Sequence, residues 1–124
     1  MFGIGVDLCE VDRMRAALER TPTLRGRLFT EAEQAYCDRR KDPTERYAAR
    51  FAAKEAVLKA MGLGVGACKW REIEVARAES GAPSVVLHGG AEQLAKERGI
   101  VGWRLTMTHT HRIAEAIAVA LDEP

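Results

Sequence analysis

Phe2, Ile4, Val6 and Leu8 alternate with Gly3, Gly5 and Asp7, a period of two that predicts an extended strand with one apolar face. The other face holds two residues without side chains and then a carboxylate. Glycine weakens a strand interior unless something must approach the backbone closely, so this face is either a close contact ending at Asp7 or a strand running into a polar turn. From Glu10 to Glu19 the spacing becomes helical, with Val11, Met14 and Leu18 apolar and Arg13, Arg15 and Arg20 toward solvent. Thr21-Pro22-Thr23 ends it, because the residue before a proline avoids helical dihedrals. Thr30, with Glu33 three residues later and Phe29 before it, predicts a capping box and hydrophobic staple that open another helix.

The longest helical pattern is Arg50 to Gly62, RFAAKEAVLKAMG, made of strong helix formers without an interior break. At about 100° per residue Tyr47, Phe51 and Leu58 share a stripe, and Glu55 and Lys59 stand about 40° and 80° from Phe51, on the rim of the buried face. One turn apart in the favourable order, they form either a surface ion pair or part of a site. The charged turn Asp38 to Arg46 precedes this helix, with Thr44 its expected N-cap. Its Arg39, Arg40 and Lys41 read as a solvated loop or a docking patch for an acidic partner. Gly62 sits where a left-handed C-cap belongs, and Gly64 and Gly66 keep the next loop bare. These glycines follow a helix C-terminus, so they are no dinucleotide fingerprint.

Strand patterns dominate from Trp70 onward. Ile73 and Val75 alternate with charged residues, Glu79 to Pro83 is a turn, and Ser84 to His88 completes a hairpin. A short helix from Gly90 to Arg98 stops at Gly99. Trp103, Leu105, Met107 and His109 then alternate with polar residues, and Ala116 to Leu121 is apolar throughout, a central or buried last strand. Strands and helices do not alternate as βαβ units, which predicts an α+β fold, one domain over 1–124, with a largely antiparallel sheet packed against the long central helix.

Composition narrows the function classes. With 124 residues, 47% hydrophobic and 30% charged, the chain is expected to be an ordinary globular protein with a real core. A net charge of +1 gives no general attraction to nucleic acid or membrane, so any anion must be met by a local patch. Cys9, Cys37 and Cys68 are odd in number and form no CxxC pair, which argues against disulfides and structural zinc and for a reducing, cytoplasmic setting. No leader and no run long enough to span a membrane is expected.

The candidate chemistry is Asp7 on its glycine-backed strand, Glu55 on the helix rim, and the Thr108 to Thr110 run. Two carboxylates from different elements, completed by water and phosphate oxygens, are a usual way to hold Mg²⁺. Lys59 and Arg50 can add charge-assisted contacts to phosphates. His109 and His111 read as an HxH on one strand face, but without a third nearby ligand the zinc reading is weak.

GIGVDLCEVDR, FTEAE, RFAAKEAVLKAMG, GAPSVVLHGGA and LTMTHTHRIAEAIAVAL, in that order and across nearly the whole chain, closely resemble the small bacterial holo-acyl-carrier-protein synthases of the 4'-phosphopantetheinyl transferase superfamily. The resemblance implies that family's fold and a transfer of 4'-phosphopantetheine from coenzyme A to a serine of acyl carrier protein. It further implies Mg²⁺ dependence, release of adenosine 3',5'-bisphosphate, a place in fatty acid biosynthesis, and a homotrimer with active sites at subunit boundaries. By position, Asp7 and Glu55 match the metal carboxylates, and Lys59 a lysine near the pyrophosphate. Arg50 and His109 match residues that contact coenzyme A, with Gly64, Gly66 and Pro83 in loops like those lining its site. Arg13 matches an arginine that docks the carrier protein, while Arg20 and Arg27 match less closely. The family's Thr-His-Thr motif reads here as Thr106-Met107-Thr108-His109-Thr110, a mild departure that leaves His109 in place.

The serine proton is expected to pass to water, Glu55 or Glu33, with water preferred because a carboxylate held by a metal is a poor base. Two rival functions remain open on sequence: a non-catalytic module binding a nucleotide or RNA, and a metal-dependent phosphohydrolase.

Overall fold

The structure, a computed structural model, describes residues 1–123. Strand β1 (Gly3–Glu10) leads into α1 (Val11–Arg20), α2 (Leu24–Leu28), α3 (Glu31–Cys37) and the long helix α4 (Thr44–Ala60). A 3-10 turn (Trp70–Glu72) precedes β2 (Ile73–Arg77) and β3 (Pro83–Leu87); α5 (Gly89–Glu97), β4 (Gly102–His109) and β5 (Ile113–Leu121) complete the chain. Every strand pairing is antiparallel, but the strands divide into a three-stranded sheet, ordered β1-β5-β4, and the separate hairpin β2-β3. The apolar last strand is the central one, as expected.

Strand β1 settles the ambiguity of its two faces. Gly3 and Gly5 lie against α4, and a Cβ on either would run into the helix backbone, at the carbonyl oxygens of Ala60 and Ala56. The close contact is therefore with α4 itself. On β5 the paired residues facing the same way are Ala120, Ala118, Ala116 and Ala114, all buried. α4 answers with Ala49, Ala52, Ala53, Ala56 and Ala60 among its buried residues, so the principal seam is built of the smallest side chains and brings backbones close. The apolar alternates face outward: Ile4 is 60% and Leu8 53% exposed.

Thr30 caps α3 as expected: its side chain accepts from Glu33 N, and the Glu33 carboxylate accepts from Thr30 N at 2.8 Å. Phe29, fully buried, packs on Tyr47 with ring centroids 4.7 Å apart. Gly62 takes φ 76 beyond α4, the expected left-handed cap. Two local expectations change. Thr44 is the first residue of α4 and not its cap, because Asp42 accepts from both its backbone N and its hydroxyl. Helix α4 is also buried on most sides, including Arg50 and Lys54, so it lacks the single apolar stripe expected of it.

Candidate functional site

Asp7 projects from the inner face of β1, where Gly3 and Gly5 let α4 come close, and Glu55 projects from the facing side of that helix. Both line an open cavity of about 550 Å³ running beneath α1, with Arg13, Met14 and Phe51 among its other walls. The Lys59 ammonium donates to Asp7 Oδ1 at 2.9 Å and to the Val6 carbonyl at 3.1 Å. Lys59 thus pairs with Asp7 across the seam and not with Glu55 one turn back on its own helix. That pairing holds the Lys59 proton more tightly than usual, through the Asp7 hydrogen bond first and its charge second.

The Asp7 carboxylate opposes ionisation of Glu55. Burial, then the hydrogen bond and charge of Asp7, push Glu55 up from 4.5 to about 7, with Lys59 opposing. The nearby Cys9 thiol is raised to about 11, by burial first and then by Glu55 and Asp7, so it stays a thiol. Two carboxylates lining one cavity, with one of them held partly protonated, mark a spot where a cation relieves repulsion. The donors are hard oxygens from two elements, partly open to solvent, which fits Mg²⁺ keeping water and phosphate oxygens in its shell. No group of three or more His, Cys, Asp or Glu able to hold an ion occurs among the described residues, so the chain alone supplies no closed metal cage.

The raised Glu55 value has a sign that can be checked. Unfolded, Glu55 ionises near its usual value, while the folded chain keeps the proton until about 7. The stability this group contributes is complete at low pH and is lost as pH rises through about 7. With chelator present, the melting temperature of the native chain minus that of Asp7→Asn is therefore expected to decline between about pH 5 and 7.5. A flat difference would show that the carboxylates do not interact.

Apart from Arg13, the other residues matched by resemblance do not line the Asp7 cavity. Arg50 is almost wholly buried, its guanidinium 4.3 Å from the Tyr36 ring centroid, with Nε and Nη2 lacking partners. Arg46 and Arg77 stack on the same ring at 4.2 and 4.8 Å, and Arg50 lines a smaller cavity with Glu74 and Arg77. His109, at the end of β4, meets Glu45 Oε1 at 3.1 Å, and His111 meets Oε2 of the same carboxylate at 3.2 Å. His111 lies past the strand end, in the turn to β5, so the HxH is not a feature of one strand face. Gly64 and Gly66 are in the loop after α4, and Pro83 opens β3. Arg20 ends α1, away from the Asp7 cavity, whereas Arg13 borders it.

Glu33 is removed from the candidate bases: it is 1% exposed and its oxygens accept from Thr30 N, Val75 N and the Lys54 ammonium. Lys54 was not singled out in the sequence. A lysine amid helix formers reads as solvent-facing, and only its partner Glu33, seen as a cap, could have hinted otherwise.

A family model described as the 4'-phosphopantetheinyl transferase superfamily matches residues 3–117. The chain belongs to the 4'-phosphopantetheinyl transferase superfamily. Membership makes it a transferase enzyme. A holo-[acyl-carrier-protein] synthase of Desulforudis audaxviator is 48% identical over 122 residues, 98% of this chain and 93% of that one. The crystal structure of the Neisseria meningitidis holo-[acyl-carrier-protein] synthase superposes with a TM-score of 0.89 at 29% identity, covering 98% of each chain. A Bacillus anthracis holo-(acyl-carrier-protein) synthase in complex with CoA (3',5'-ADP) is 30% identical with a TM-score of 0.79, covering 96% of this chain and 95% of that one. Like these superfamily members, the chain is a mixed α and β fold with antiparallel sheets. No helix among the described residues is long and apolar enough to cross a membrane.

Proposed function

We propose that this transferase moves 4'-phosphopantetheine from coenzyme A to a serine of an acyl carrier protein, releasing adenosine 3',5'-bisphosphate, with Asp7 and Glu55 holding Mg²⁺. The observation that carries the reading is the pair of carboxylates, Asp7 on β1 and Glu55 on α4, lining one cavity with the Lys59 ammonium 2.9 Å from Asp7 Oδ1. When bound, the cation supplies charge neutralisation at the diphosphate. Asp7 and Glu55 orient that charge from two rigid elements. Lys59 places a second positive charge beside it, able to steady the negative charge that develops on the leaving bisphosphate. The cavity beneath α1 leads from the carboxylates past Arg13, giving a route for the carrier serine and the pantetheine arm.

We further propose that the working form is a homotrimer whose site is completed by a neighbouring copy. Two observations support this. Within one chain Arg50 and His109 lie apart from the Asp7 cavity. The outward face of β1 offers Ile4, Val6 and Leu8 as an exposed apolar strip beside Ile117 and Val119 of β5. Cys9, Cys37 and Cys68 are all unpaired, which suits the reducing cytoplasm where carrier proteins of fatty acid biosynthesis are primed.

Incubating the protein with coenzyme A, Mg²⁺ and an apo carrier protein tests the reading by mass. Transfer adds phosphopantetheine to the carrier; hydrolysis of coenzyme A without that gain would favour a phosphohydrolase, and no change a binding module. Arg13, 83% exposed and loosely paired with Glu10, suits docking of an acidic carrier surface. Arg13→Glu is expected to raise KM for the carrier roughly tenfold while leaving KM for coenzyme A nearly unchanged, because exposed charges steer encounter. Equal effects on both substrates would contradict the docking role.

A further inference from the structure

The contact of α4 with the sheet is smooth. Glycine and alanine on β1 and β5 meet alanines of the helix, so apart from the exposed Lys59 ammonium on Asp7 and the Val6 carbonyl few side chains interlock there to stop the helix turning about its axis. Yet Glu55 must project at one angle to stand beside Asp7. A rotation of about 10° moves a group about 6 Å from the helix axis by about 1 Å, a displacement able to cost a site a hundredfold in rate.

The residue before Glu55 lies about 100° around the helix and makes the most specific contacts of its flank. Lys54 is fully buried, and its ammonium donates to Glu33 Oε1 at 2.8 Å, to the Trp70 carbonyl at 3.0 Å and to the Ile73 carbonyl. Glu33 in turn accepts from Thr30 N at 2.8 Å and Val75 N at 2.9 Å. One ion pair therefore joins α4 to the start of α3, the 3-10 turn and β2, all on elements outside the smooth seam. The Phe51 ring, one turn back on α4, packs at a tilt against Trp70 with centroids 4.9 Å apart and reinforces the same flank.

We propose that the buried Lys54–Glu33 pair is the rotational pin of α4, a positioning device that sets the angle at which Glu55 faces Asp7. A buried ion pair is a poor source of net stability, but fixing register is the use for which such pairs are best attested. The proposal rests on the reading of Asp7 and Glu55 as the metal carboxylates.

The test replaces the pair without leaving a buried charge, as Lys54→Met/Glu33→Gln, and uses Glu33→Asp as a milder variant that keeps both charges and shortens one arm. The readouts are melting temperature, Mn²⁺ affinity by electron paramagnetic resonance in the presence of coenzyme A, and turnover at saturating metal. Folded variants are expected to bind Mn²⁺ about tenfold more weakly and to turn over about tenfold more slowly. A folded double variant with native Mn²⁺ affinity and turnover overturns the proposal. If the double variant does not fold, native affinity and turnover in Glu33→Asp overturn it equally. Asp7→Asn runs alongside: should it bind Mn²⁺ like the native chain, the metal reading fails, and the positioning role with it.

Discussion

Replacing Asp7 with Asn is expected to lower phosphopantetheine transfer on the order of a thousandfold while leaving the fold intact. The change removes the charge of one of the two facing carboxylates and keeps the shape of the side chain, so the seam between β1 and α4 is undisturbed. Glu55, relieved of its neighbour's hydrogen bond and repulsion, returns toward the ordinary carboxylate range, and Lys59 loses its ion partner. Stability near neutral pH should therefore hold or rise slightly even as catalysis collapses. Transfer measured by mass, beside a thermal melt, separates the two. Full activity in the variant would overturn the metal assignment.

The second large effect is structural. Gly5→Ala is expected to cost about 3 kcal/mol or more and to lower the melting temperature by at least about 10 °C, and Gly5→Val to prevent folding. The added Cβ collides with the Ala56 carbonyl oxygen and crowds the Ala60 backbone and Lys59 Cβ. These are atoms of a helix that cannot retreat without unpacking the core. Gly26 is the contrast: nothing lies near the position of its Cβ, and it sits inside α2. Gly26→Ala should be neutral or stabilising by about 0.5 kcal/mol. If thermal melts put both alanines in the same range, the close approach of β1 to α4 does not hold the fold together.

How far the sequence discloses this protein depends on the range of the interaction. Features closed within a few residues are legible: the Thr30/Glu33 box, the Gly62 cap, the alternation in β1 and β4 and the unbroken apolar run of β5 all follow from local sequence. The division into two sheets is not, because nothing in Trp103 to His109 says which neighbour it will pair with. The outward turn of Ile4, Val6 and Leu8 is hidden for a similar reason. Hydrophobic residues read as core, and only the bare glycines opposite them point to the true inner face. Lys54 was invisible because a buried lysine exists only by virtue of acceptors 16 to 21 residues away. For the site, Asp7, Glu55 and Lys59 converge as their spacing and the family resemblance suggested, whereas Arg50 and His109 turn to partners of their own within the chain.

Strand β1 alternates between two tasks, odd positions meeting the helix and even positions facing outward. Loss or gain of a single residue between the glycines and Asp7 would exchange them for the rest of the strand, driving Leu8 toward the helix and turning the carboxylate to the outside. A shift by two would restore the sides but carry the carboxylate about 7 Å along the strand, out of reach of Glu55. Short insertions and deletions before position 7 should therefore be more damaging than nearly any single exchange of side chain there, and the spacing from the first glycine to the acid is the quantity this segment has to keep.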